Sequence, residues 1–479
     1  MIFSSSTFLA FFAAVLLLYA GASTIRQRAG ILLAASLIFY GSWKPAYLLL
    51  LMASLAANYW IYVRLLDTRG RALLIAGVAG NLAVLAFYKY LGFLIENALA
   101  LSSWLGMTTQ LTPPAWVDLA LPLGISFFTF HMLGAQIDVF RGDWTRRVSF
   151  AQWCLFVSYF PQFIAGPIVR AHEMFDQLEA LGPLRADNLR FGALIFAGGL
   201  VKKALFADNI APIVEELYGQ PQSLDFALAW FATIAFSLQI YFDFSGYSEM
   251  AIGLARAMGV ELPKNFEYPY WSRNFSEFWR RWHMTLSRWL RDYLYIPLGG
   301  SRSSSPRVFA NLTTTMFLGG LWHGAGWTFV AWGLLHGTYL VGHRMLGRLY
   351  GAMGVDRHPL VDHLLGWIGI PVTYVLTCVT WVFFRAPTFH DAWLILQAMF
   401  GMASPETVLS LPRTYLQALV LAGAVVVVLE PAIVRVGARV APLWWRNVPF
   451  PVRGLAYASV ALLVIAFGGS TQKFIYFDF

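Results

Sequence analysis

His323 lies in the run Asn311 to Val341, which carries no Asp, Glu, Lys or Arg, inside the string Gly319-Gly320-Leu321-Trp322-His323-Gly324-Ala325-Gly326-Trp327. Imidazole titrates near neutrality, so it can take a proton from an acceptor hydroxyl and return it to a leaving group. A histidine in a membrane-buried stretch is costly to desolvate and marks an interior or a wet cavity. The glycines let backbones approach closely, and the indoles can wall a cavity while still offering an N–H. The competing reading is a core histidine bonded to a neighbouring carbonyl. A second histidine, His283, ends the string Phe278-Trp279-Arg280-Arg281-Trp282-His283.

On a helical wheel at about 100° per residue, Asn274–Tyr293 gathers Phe275, Phe278, Trp282, Leu286, Trp289 and Tyr293 on one face. Arg280, Arg281, Arg288 and Arg291 fall on the other, and His283 sits at the boundary, about 90° from the apolar centre. The pattern predicts one interfacial amphipathic helix on the cytosolic edge, with indoles at head-group depth. It serves equally as a lipid anchor with an incidental histidine. In the functional reading its guanidiniums, together with Arg273, bind the phosphates of a cofactor bidentately.

Polar intramembrane residues accompany the two histidines. Gln239 and Asp243 share one helix face, Ser245 and Glu249 another, and Lys202 and Lys203 split the apolar run from Phe191 to Val214. Such groups inside a membrane must line a cavity or pair with one another, which suggests a tunnel into the bilayer. His336 and His343 share a face without an acidic or cysteine partner nearby and are read as structural. Cys154 and Cys378 lie far apart in apolar surroundings and support neither a disulfide framework nor a metal site. The chain shows no Ser-His-Asp signature, Walker loop, dinucleotide motif or His-Glu-x-x-His motif.

The elements that hold these residues follow from composition. With 58% hydrophobic and 12% charged residues, and a mean hydropathy of +0.60, the chain cannot present a wetted globular surface and is an all-α polytopic integral membrane protein. Residues 1–479 read as one integral domain of about 11–13 membrane helices. The first span is expected to be retained. Spans are expected near Phe8–Ala22, Gly30–Tyr40, Tyr47–Val63, Ala72–Tyr90 and Leu119–Phe140, then near Leu312–Trp322, Thr328–His343, Leu364–Phe384, Leu416–Leu429 and Leu455–Phe467.

Basic residues recur on alternate loops at Arg26/Arg28, Arg64/Arg69/Arg71 and Arg141/Arg146/Arg147, which places those loops in the cytosol and the N-terminus outside. Arg435, Arg439, Arg446 and Arg453 place the last loop inside and the C-terminal tail outside. Much of the net charge of +9 lies in residues 261–307, a basic cytosolic interfacial segment where eight basic residues face three acids. The stretch Phe156–Arg170, with two prolines and a glycine, is too broken for a span and too apolar for an open loop, so buried or re-entrant irregular structure is expected. Gly333-x-x-x-Gly337 and Gly347-x-x-x-Gly351 fit helix packing within or between chains.

Trp322-His323-Gly324-Ala325-Gly326-Trp327 resembles the signature of the membrane-bound O-acyltransferase superfamily. So do the string ending at His283, Leu290-Arg291-Asp292-Tyr293 and Ile296-Pro297-Leu298-Gly299-Gly300. Phe160-Pro161-Gln162-Phe163-Ile164-Ala165-Gly166-Pro167, Leu200-Val201-Lys202-Lys203 and Tyr241-Phe242-Asp243-Phe244-Ser245-Gly246-Tyr247-Ser248 extend the likeness over essentially the whole chain. The branch is similar to the bacterial alginate O-acetyltransferases, beside the D-alanyl-lipoteichoic-acid transferases.

The resemblance implies a helical bundle with a central tunnel, re-entrant segments and interfacial amphipathic helices, in the bacterial inner membrane. It implies His323 as the essential histidine and His283 as the second. It further implies acetyl-CoA as donor substrate with no bound cofactor or metal, and an exported polysaccharide such as alginate as final acceptor. Outward segments of about 30 residues are too short to grip a polymer. A periplasmic or membrane-anchored SGNH-like transferase is therefore expected to receive the acetyl group, alongside secretion machinery and membrane lipids, with no nucleic acid. Donor phosphates are assigned to some of Arg273, Arg280, Arg281, Arg288 and Arg291, oxyanion donation to Trp322, Trp327 or Tyr293, and the tunnel lining to Gln239 and Asp243. The alternatives are D-alanyl transfer from a carrier-protein thioester and, in a different class, a transporter of an acylated intermediate.

Overall fold

The computed structural model describes residues 1–107, 121–354, 359–410, 412–468 and 474–475. All regular secondary structure among them is helical. Six helices are long and apolar enough to cross a membrane: Ala46–Thr68, Arg71–Lys89, Phe226–Ala257, His363–Arg385, Thr414–Ala441 and Phe450–Phe467. Shorter apolar helices such as Ser6–Gly21 stand among them. The chain is a polytopic membrane protein.

Local chemistry sets the helix starts. Thr24 and Gln27, and again Ser149 and Gln152, form reciprocal capping boxes, and Asp225 accepts the Leu228 N–H at the head of Phe226–Ala257. That helix has 32 residues, roughly 48 Å at 1.5 Å per residue, and outruns the hydrocarbon core. It forms the spine of the bundle. Ala186–Val201 packs on it through glycines: a Cβ on Gly199 would lie 2.4 Å from the Gly246 carbonyl oxygen, and one on Gly253 2.6 Å from that of Gly192. Lipid gives helices no hydrophobic drive to associate, so close backbone packing does that work. Gly333 and Gly337 meet Met316 and Thr313 of the helix ending at His323, so this pair packs within the chain.

The segment after Ser158 is a single helical turn, Phe160–Phe163, followed by irregular backbone, and Phe156 to Val169 are buried. Side chains supply the bonds it lacks. Ser36 Oγ accepts the Phe160 N–H at 3.1 Å, Gln162 Nε2 donates to the Phe156 carbonyl at 2.8 Å, and Thr285 Oγ1 accepts the Ile168 N–H at 3.0 Å. Non-helical backbone at membrane depth survives only under such cover.

One expectation fails. Asn274–Tyr293 is not one amphipathic helix but two short ones, Phe275–Arg281 and Met284–Leu290, followed by a π-helical stretch Arg291–Tyr295. The break falls at His283, whose φ of 42° is left-handed. The described end of the tail packs back onto the bundle. Phe474 is fully buried and stacks on Tyr247 at 4.5 Å, and the Ile475 N–H donates to Asp243 Oδ2 at 2.7 Å. Residues 119–120 of the expected span Leu119–Phe140 lie outside the described residues, as do Tyr476–Phe479; the helix begins at Ile125.

Candidate active site

The break at His283 decides where its ring goes. A regular helix would leave it at the face boundary, whereas the left-handed residue turns it inward until nothing of it is exposed. A non-glycine residue there is strained by about 1–3 kcal/mol and needs surroundings that over-determine it. Residues 265–267 run alongside and provide them: Met284 N–H donates to the Asn265 carbonyl, and Glu267 N–H to the Arg281 carbonyl, both at 2.9 Å. Phe244 packs edge-on to the imidazole at 4.7 Å.

His323 is the last residue of the helix Ser305–His323. A helix that stops at membrane depth leaves carbonyls without partners. Lys89 and Tyr90, at the end of another span, cover them. Lys89 Nζ donates to the carbonyls of Trp322 and His323, and Tyr90 Oη donates to Leu321 at 2.6 Å. A cation at the negative end of the helix dipole is favourable as well. The His323 ring contacts Trp322 and Trp332, each at 4.9 Å, and Phe384 at 5.2 Å. Trp322 also meets His283 at 6.0 Å, so one indole touches both histidines.

Two large cavities are lined by residues adjoining this pair in the chain. One, of about 480 Å³, is lined by Lys264, Arg280, Arg288 and Arg291, with Met284, Thr285 and Met316 among its other lining residues. Bordered largely by the basic segment 261–307, it is termed the inner cavity, and the second the outer. The other, of about 790 Å³, lies beyond His323 against Gly324–Gly326 and takes in Lys89, Lys203, Asp208, Gln239, Asp243 and Arg385. A narrow pocket of about 40 Å³ bordered by Lys89, Trp322 and His323 lies beside it. Each large cavity is bordered by a π-helical stretch, Arg291–Tyr295 inside and Lys202–Ala207 outside, a distortion common at functional sites.

The arginines part company. Arg280 lines the inner cavity with no carboxylate in ion-pair range among the described residues. Arg288 makes a bidentate pair with Glu173 at 2.5 and 2.9 Å, and Arg291 pairs with Asp292 at 2.6 Å. Burial works to raise the Asp292 carboxyl, but bonds from Arg291 and Arg170 outweigh it and hold it below its ordinary range. Arg281 pairs with Glu277 at 2.7 Å, and with Arg273 it borders a separate cleft.

The three candidate oxyanion donors separate in the same way. Trp327 is exposed and donates to Asn97 at 2.8 Å. Tyr293 Oη donates to both Asp138 oxygens, at 2.8 and 2.9 Å. Trp322 keeps a buried N–H with no partner among the described residues, as do Trp279, Trp332 and Trp381, and so do His283 Nε2 and both ring nitrogens of His336.

Asp243 and Lys203, with Asp208, form a buried cluster at 2.6 Å contacts. Lys202 pairs with Glu249 and Glu430 at 2.5 and 2.7 Å. The polar intramembrane residues thus both pair and line a cavity. Lys89, Tyr90 and Asn265 were missed from sequence: Lys89-Tyr90 reads as an ordinary span end, and Asn265 as a loop residue.

Residues 80–396 match the model of the membrane-bound O-acyltransferase family. The chain belongs to that family. It is an acyltransferase, which removes the transporter reading. It is 40% identical over 84% of its length to a probable alginate O-acetylase of Pseudomonas aeruginosa, of which 76% is covered. It is 38% identical over 78% of its length to a peptidoglycan O-acetyltransferase of Helicobacter pylori, 73% covered. Over 46% of its length it is 31% identical to a teichoic acid D-alanyltransferase of Streptococcus thermophilus, 56% covered.

Proposed function

We propose that this acyltransferase moves acetyl groups from cytosolic acetyl-CoA across the bacterial inner membrane for O-acetylation of an exported polysaccharide such as alginate. The observation that carries the reading is that Trp322 touches both histidines, while a cationic cavity is lined by Met284, next to His283, and a polar cavity by Gly324, next to His323. The alginate O-acetylase relatives, alike over most of the chain, support the acceptor class. The peptidoglycan relative bears on the choice of acceptor polymer.

Acetyl-CoA docks in the inner cavity, its phosphates met first by Arg280 and Lys264, which have no ion-pair partner among the described residues. An acceptor hydroxyl enters from the outer cavity. His323 takes its proton as the oxygen bonds the acetyl carbon, and returns that proton to sulfur as the C–S bond breaks. The Trp322 N–H stabilises the oxyanion between those steps. A separate periplasmic or membrane-anchored SGNH-like protein supplies the hydroxyl and hands the acetyl group to the polymer.

The test is purified protein in nanodiscs with radiolabelled acetyl-CoA and alginate or peptidoglycan fragments, with and without a periplasmic fraction. Label reaching alginate supports the reading. Label reaching peptidoglycan alone replaces the acceptor. Turnover of a D-alanyl carrier-protein thioester but not of acetyl-CoA replaces the donor.

A further inference from the structure

We infer that Asn265 is a positioning residue that fixes His283 as the tautomer protonated on Nδ1, so that in its neutral form His283 meets the reactants with a lone pair on Nε2. Four hydrogen bonds lead to this assignment, and each constrains the next.

Thr285 N–H, which can only donate, points at Asn265 Oδ1 at 3.3 Å. Ile168 N–H donates to Thr285 Oγ1 at 3.0 Å, which leaves the Thr285 hydroxyl proton for Asn265 Oδ1 at 2.9 Å. On its other side the Asn265 amide NH2 donates to Ser248 Oγ at 3.2 Å. Turning the amide over would set its NH2 against the Thr285 N–H, donor facing donor, so the oxygen stays where it is. His283 Nδ1 lies 3.1 Å from that same oxygen, which has no proton to give, so Nδ1 must carry the hydrogen.

Nε2, at the far side of the ring, is buried and has no partner among the described residues. A neutral imidazole with its only N–H engaged by Asn265 accepts a hydrogen bond or a proton and cannot donate to an oxyanion. Oxyanion donation then falls to a neighbouring N–H such as Trp322, whose indole meets both histidines. Asn265 serves twice, since its carbonyl also holds Met284 N–H and thereby the left-handed turn that brings His283 inward. Fixing a histidine's tautomer through a bond at its other nitrogen is a general device for setting its role.

The kinetic half of this inference rests on the acetyl-transfer reading; the tautomer half does not. The experiment uses full-length protein in nanodiscs with 15N-histidine, the His283 signals being assigned by their loss in His283→Gln. A pyrrole-type Nδ1 and a pyridine-type Nε2 near neutral pH are expected, and the reverse pattern overturns the proposal whether or not acetyl-CoA is turned over. Asn265→Asp keeps the shape and the acceptor but adds a charge that favours the imidazolium. The pH at which the His283 nitrogen signals titrate should therefore move up by about one unit or more. Asn265→Ala should lower kcat by about 10–100-fold with KM for acetyl-CoA unchanged. A His283 titration that stays in place in Asn265→Asp overturns the proposal. If wild type turns over no acetyl-CoA, the functional reading fails and the nitrogen spectrum alone decides the role of Asn265.

Discussion

The inner cavity is lined by the residue that follows His283 and the outer cavity by the one that follows His323, but the two are charged in opposite styles. Among the described lining residues, the inner one carries four cations, Lys264, Arg280, Arg288 and Arg291, and no acid. The outer one carries three cations, Lys89, Lys203 and Arg385, against three acids, Asp208, Glu215 and Asp243. A net positive wall concentrates an anionic ligand, whereas a balanced wall draws in neither sign and suits an uncharged hydroxyl. The difference extends to the histidines themselves. His283, beside the inner cavity, is held by a side-chain hydrogen-bond network, and His323, beside the outer one, by the capped end of a helix.

The strongest test of that contrast is His323→Ala, which should lower acetyl transfer by about 10²–10⁴-fold while isothermal titration still shows CoA binding. Transfer that survives would return His323 to packing and leave the outer cavity without a catalytic group. Next comes Lys89→Met, which strips two buried carbonyls of their donor at about 1–3 kcal/mol each. It should reduce transfer by about tenfold or more without weakening CoA binding. A loss of CoA affinity instead would mean that the helix end serves the inner cavity as well.

A paired substitution separates the two walls. Arg280→Gln should raise KM for acetyl-CoA by about tenfold, the worth of one charge-assisted contact, and Arg385→Gln on the outer wall should leave that KM unchanged. Equal effects would erase the distinction. The smallest effect concerns the pairing that restrains the inner arginines. Because Asp292 titrates below its ordinary value of 3.8 when folded, its stabilising pairs are fully present above that pH and disappear as pH falls through the lowered value. Asp292→Asn should therefore lower the melting midpoint at pH 7 by on the order of 2 °C, with the gap to wild type closing below about pH 4. A gap independent of pH would show that packing, not charge, holds this turn.

Much of the site was legible because membrane burial makes polar residues conspicuous. His323, Lys202, Lys203, Gln239 and Asp243 stand out in apolar runs for that reason alone, and the cavity-or-pairing choice drawn from them was met by both outcomes. The helical wheel misled at His283, since a periodicity argument assumes an unbroken helix and has no means of registering one left-handed residue. The five arginines looked equivalent because residue type alone does not show which of them a carboxylate restrains. Glu173 lies 115 residues from Arg288, and only the fold shows which guanidinium is left over.

By itself the sequence determined that this chain is a helical membrane protein, and it singled out a basic segment and two histidines as the candidates for function. Hydropathy, charge placement and residue type are local properties and survive without coordinates. Tertiary structure alone decided that Lys89 caps the helix end at His323, that Phe474 returns to the core, and that Asn265 faces His283. Each of these is a contact between distant segments, made because a buried carbonyl, ring face or imidazole nitrogen must find its partner wherever the packed chain supplies one.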